Sequence, residues 1–151
     1  MRSLFLFFHL AGAIFWMGGM AFMVMALRPS LGTLQPPLRL PLVLAVLRRF
    51  FIVVAVSVAL LLATGVVLLL QAPRGATPLG WNAMAGLGVL MMLVFGHIFF
   101  GPWRRLKQAV AAQDWPEGGK RMNQIRLFVG INLALGLVVI ALGSGGRYFF
   151  R

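Results

Sequence analysis

This chain predicts an all-α membrane protein: a bundle of four transmembrane helices with both termini outside. Three observations predict it. The 151 residues are 61% hydrophobic and 11% charged, whereas soluble domains carry roughly 25% charged residues. Four apolar runs, at about 3–27, 50–70, 79–100 and 127–142, match the length of roughly 20 residues that a helix needs to cross a bilayer. The basic residues are also unevenly placed. Arg28, Arg39, Arg48 and Arg49 fall in the first connection, and Arg104, Arg105, Lys107, Lys120, Arg121 and Arg126 in the third, leaving Arg2, Arg74, Arg147 and Arg151 elsewhere. Cytoplasmic loops are the basic ones, so the first and third connections are expected inside. Residues 1–151 read as one domain.

The first run exceeds the 7–15 apolar residues of a signal-peptide core, and no Ala-x-Ala cleavage site follows; a retained helix is expected. His9, Gly12, Ala13, Trp16, Gly19, Met20 and Met23 recur at i, i+3, i+4 and i+7 and share one face. Small residues there permit close helix approach, with Trp16 filling space. The connection "RPSLGTLQPPLRLPLVLAVLRR" holds Pro29, Pro36, Pro37 and Pro41. Its early part is expected to be irregular, with a helix beginning after Pro41 and running through Arg48 and Arg49 into the second span. "GPWRRLKQAVAAQDW" reads as an extension of the third helix, amphipathic around Trp103, Leu106 and Val110. "DWPEGG" reads as a turn in which Asp114 caps the next helix, and "KRMNQIR" leads into the fourth span.

Composition excludes several chemistries. There is no cysteine, hence no disulfide, thiolate metal site or iron–sulfur cluster. The net charge of +12 flanks membrane spans, so the expected partner is anionic lipid rather than nucleic acid. The only carboxylates, Asp114 and Glu117, lie outside the spans. That argues against a carrier built on membrane carboxylates and against acid–base hydrolysis; whether the chain is an enzyme stays open, with a non-enzymatic role the leading expectation.

The polar side chains within the spans are His9, Ser57, Thr64, Asn82, His97 and Asn132. Intramembrane ionisable groups tend to face the bundle interior and to serve function, and neutral imidazole binds haem iron, copper and zinc. His9, Trp16 and His97 are therefore candidate cofactor-binding residues. Counted from Arg28 and Arg104, however, His9 and His97 differ in depth by about 18 Å, too far to share one centre. Met84 and Asn82 lie nearer the depth of His9. His9 with Met20 or Met84 offers the nitrogen-plus-thioether set that suits Cu(I). His97 has simpler uses: bonding Asn123 or Asn132, or meeting lipid phosphate. The rival readings are a haem-b protein in electron transfer or porphyrinogen oxidation, and a structural small subunit in a homo-oligomer or larger membrane complex.

The first helix has the form His9, small residues, "FWMGGMAF", then "LRP"; "RRFF" enters the second helix, "LATG" lies near its end, and "GW", "FGHIFFGPWRRL" and "INLALGL" follow. Over almost its whole length the chain resembles the small four-helix membrane proteins of the copper-resistance protein D (CopD) family. More distantly it is similar to the four-helix, haem-dependent protoporphyrinogen oxidases. The resemblance implies a multi-pass protein of the bacterial inner membrane and a role in copper handling or transport. It places His9 on the first-helix histidine of both groups and His97 on the late histidine of the third helix. Asn82 stands where relatives carry a further histidine, and Ala83, Met84 and Ala85 stand near the oxidases' lysine. An amide oxygen is a poor ligand for Cu(I) or haem iron.

Overall fold

The computed structural model describes residues 1–71 and 79–149, with side chains for all of these except 79 and 145–149. The second connection with Arg74, and the last two residues with Arg151, lie outside the described residues. The described chain is helical: α1 (Arg2–Phe22), α2 (Pro36–Leu70), α3 (Leu79–Phe100), α4 (Pro102–Ala111) and α5 (Trp115–Phe149). Four helical segments are long and apolar enough to cross a membrane: Arg2–Thr33, Pro36–Leu70, Gly80–Ala111 and Trp115–Ser144. The expected multi-pass, four-helix membrane architecture is therefore present.

α1 does not stop at Phe22. It widens into a π-helical turn, Met23–Leu27, closed by the Arg28 N–H donating to the Met23 carbonyl, then tightens through Arg28–Ser30 into a 3₁₀ turn at Leu31–Thr33. α2 begins at Pro36, earlier than expected, and carries Pro41 inside it. The first-turn N–H groups of a helix have no intrahelical partner, so Pro36 and Pro37 sacrifice nothing there. Pro41 forfeits one bond, to the Pro37 carbonyl. Burial of Leu40, Val43 and Leu47 holds the segment helical against that loss.

The amphipathic segment expected as an extension of α3 is a separate helix. Gly101, at φ −102° and ψ −99°, ends the helix, and a Cβ there would stand 2.9 Å from the His97 carbonyl oxygen. Pro102 after it disfavours helical backbone at Gly101 and then starts α4. α4 buries Trp103, Leu106 and Ala109 and leaves Arg104, Arg105 and Lys107 exposed. It ends in paired reverse bonds, Asp114 N–H to the Ala109 carbonyl (2.9 Å) and Gln113 N–H to that of Val110 (3.2 Å), around Gln113 at φ 55°. Asp114 then caps α5 through its Oδ1, which accepts from the Glu117 N–H at 3.0 Å. Residues 115–119, read as a turn, instead form the first turn of α5.

α1 packs chiefly on α2, and α3 chiefly on α5, while α4 folds back against α5. Close approach is made at glycines. A Cβ on Gly12 would stand 3.3 Å from the Ser57 carbonyl oxygen, and one on Gly19 would stand 2.5 Å from Phe50 Cε2. The hairpins lock together around Phe51 of α2, whose ring meets Trp103, Phe95 and Phe99 edge-on at centroid distances of 4.9, 5.6 and 5.9 Å. Each such pair contributes about 0.5–1.5 kcal/mol beyond burial. Trp16, 3% exposed, joins this aromatic core through Phe95.

Candidate functional site

His9 lies on the α1 face that packs against α2. Its ring rests against Gly65, whose missing Cβ leaves room for it: an added Cβ would be 3.3 Å from His9 Cε1. One turn of sequence sets this up, because Thr64 and Gly65 adjoin in "LATG". Ser57 and Thr64, seven residues apart, place two buried hydroxyl side chains on the same α2 face.

The hydrogen bonds at Thr64 define the state of the imidazole. Thr64 Oγ1 lies 2.6 Å from the Leu60 carbonyl oxygen and 2.9 Å from His9 Nδ1. A hydroxyl has one hydrogen. The Leu60 carbonyl can only accept, so the Thr64 O–H is donated to it. Thr64 Oγ1 must then accept from His9, which puts the proton of the neutral ring on Nδ1 and leaves the Nε2 lone pair free. Metal-binding histidines are oriented in this way, with one ring N–H donated to a fixed acceptor and the other nitrogen presented to the ion. Thr64 was legible as a polar residue in a span, but nothing local in the sequence linked it to His9, 55 residues away.

The other sequence-selected residues are dispersed. Met20 is buried on α1, roughly 16 Å of helix rise from His9, so the two are not brought to one centre. Met84, half-buried on α3, has its sulfur 3.3 Å from where a Gly143 Cβ would stand on α5. Along their helices, Thr64 is roughly 9 Å from the end of α2 at Leu70, and Met84 roughly 8 Å from the start of α3 at Leu79. Asn82 is exposed.

His97 is exposed near the other end of α3, with its ring edge-on to Phe128 at 4.9 Å. The expected partners are otherwise engaged. Asn123 Oδ1 accepts from Arg126, and Asn132 Nδ2 donates to the Met91 carbonyl. The level of His97 is that of Phe51, which packs on Phe95 and Phe99 on either side of it. Phe51 and Thr64 are roughly 20 Å apart along α2, so His9 and His97 stand at opposite depths. A haem with one imidazole on each face does not fit these two residues.

Among the described residues no cluster of three or more His, Cys, Asp or Glu side chains could hold a metal ion. With no cysteine in the chain, the soft-metal donors it offers are thioether sulfur and imidazole nitrogen. The sequence reading passed over Met17 and Met91, which crowd the same gap at Gly136 of α5. Asn132, one of the polar residues named from the sequence, is 2% exposed, and its Oδ1 has no partner among the described residues. Methionines at helical spacing read as ordinary core, and only the helix pairing collects them.

No curated protein and no solved structure matches the chain. The family model described as Copper resistance protein D matches residues 44–145, from within α2 through most of α5; His9 and α1 precede the matched segment. With two thirds of its length matched and four helices able to span a membrane, the chain belongs to the copper resistance protein D family.

Proposed function

We propose that this protein handles copper in the bacterial inner membrane, as a transport or accessory component, with His9 as the nitrogen ligand for Cu(I) as cargo. The observation that supports the reading is the hydrogen bond between Thr64 and His9 Nδ1, from which the tautomer with a free Nε2 is inferred. Family membership supplies the metal. Met84, near the start of α3, is the thioether candidate, and soft sulfur with imidazole suits Cu(I). Thioether and neutral imidazole carry no charge, so they would hold the ion without burying a carboxylate in lipid.

The test is Cu(I) titration of protein purified in mild detergent, with an absorption spectrum of the same sample. His9→Ala is expected to abolish binding and His97→Ala to leave most of it. Equal loss in both variants would mean that the two histidines share a centre, against the geometry above. A Soret band in the purified protein would replace the copper reading with a haem one. No copper bound by the parent would leave a structural subunit.

A further inference from the structure

Between the end of α1 and the early parts of α2 and α5 lies a cleft of about 100 Å³. Its apolar wall is Leu27, Leu31, Val43, Leu47, Ile125 and Val129, and Arg28 and Arg126 stand at its edge. The volume is of the order of the ~150 Å³ apolar cavities that accept benzene-sized groups. Met23 and Val24, also on the wall, belong to the π-helical turn of α1. Such turns insert an extra residue, distort the helix surface and recur at functional sites.

Charge is the decisive feature. The like charges of Arg28 and Arg39 act on Arg126, and the buried Nε of Arg39 has no hydrogen-bond partner among the described residues. Arg126 has one neutral partner, Asn123, at 3.3 Å. The chain's two acidic side chains are both committed elsewhere: Asp114 caps α5, and Glu117 pairs with Arg121. The protein therefore holds no side-chain carboxylate to neutralise the three arginines. A guanidinium group recognises phosphate through paired N–H donors, and the wall below this rim is apolar.

We propose that the cleft binds one anionic phospholipid, its phosphate held by Arg28 and Arg126 and the start of one acyl chain lying along the apolar wall. A diffuse attraction between basic loops and the membrane would need no cleft and would treat all surface arginines alike. A built site would not. Gly130 supplies a probe for the apolar part: it lines the cleft, and a Cβ there would meet nothing within 4 Å. A leucine at 130 fills the space and leaves the charge unchanged.

Purified protein is equilibrated with detergent micelles containing phosphatidylglycerol, phosphatidylcholine or neither, with and without inorganic phosphate. Retained lipid is counted by native mass spectrometry. One phosphatidylglycerol per chain is expected, with no comparable phosphatidylcholine and no displacement by inorganic phosphate. Arg126→Gln and Gly130→Leu should each weaken retention about tenfold, as expected for loss of one charge-assisted contact or of the chain's seat. Arg105→Gln, on the exposed face of α4, should leave it unchanged. Arg28→Gln replaces Arg126→Gln if the latter does not survive purification. Equal weakening in Arg105→Gln and Arg126→Gln would overturn the site in favour of diffuse attraction. Displacement by inorganic phosphate, equal retention of phosphatidylcholine, or full retention in Gly130→Leu would each overturn it as well.

Discussion

At Thr64 one hydroxyl hydrogen decides which side of His9 is chemically free. Its donation to the Leu60 carbonyl makes the oxygen an acceptor for Nδ1–H. Thr64→Val keeps the shape and removes that acceptor, so the ring can exchange tautomers and lose its orientation. Cu(I) affinity should fall roughly 10- to 100-fold, the range seen when such supporting bonds are removed. Thr64→Ser, which retains the hydroxyl, should stay near the parent. Competition titration against a Cu(I) chelator reads both, and unchanged affinity in Thr64→Val would remove Thr64 from the account. His9 was readable as a candidate because a titratable residue inside a span is rare and costly. Its partner was not readable, since a hydrogen bond across 55 residues depends on which helices pair.

The seam between α1 and α2 is where the first helix earns its glycines. Gly19 faces Phe50, and Gly12 faces the Ser57 carbonyl, which is backbone and cannot turn aside. Gly12→Leu and Gly19→Leu should each lower thermal stability in detergent, by about 1–3 kcal/mol for overpacking. Met25→Leu, at a residue 76% exposed, should be nearly silent. Equal behaviour of the three would refute the seam. At the α4–α5 junction, Gln113 holds the left-handed conformation that closes α4. Gln113→Gly should stabilise by about 0.5–1 kcal/mol, because glycine adopts that conformation without its steric cost. Asp114→Ala should destabilise by about 1 kcal/mol through loss of the cap. Thermal melts of the two variants should move in opposite directions. The cap was legible because an Asp three residues before an acidic residue is a local pattern. The early start of α2 was not: proline spacing argued for a break, and burial of Leu40 and its neighbours overrode it.

Across the whole molecule, charge asymmetry sets the expected topology. Ten of the fourteen basic residues lie in the first and third connections, so both termini are expected on the outer side. Reporter fusions at residue 151 should therefore report outside, and those within 104–120 inside. A cytoplasmic signal at 151 would invert the assignment. The same asymmetry concentrates unneutralised arginines at one end of the bundle, while His9 sits at the other, against Thr64.

Span number, helix content and the polar inventory follow from sequence alone, because a lipid-exposed backbone must satisfy its own hydrogen bonds and leaves few alternatives to a long apolar helix. The depth separation of His9 and His97 follows as well, since helix rise is fixed per residue. Tertiary structure alone decided the rest: that α1 pairs with α2 and α3 with α5, that Thr64 orients His9, and that Arg28 and Arg126 line one cleft. The reason is physical. In lipid, apolar faces do not select their partners by hydrophobicity, and helices associate through the detailed fit of small residues, rings and buried polar atoms. That fit is a property of surfaces in contact, which no single helix contains.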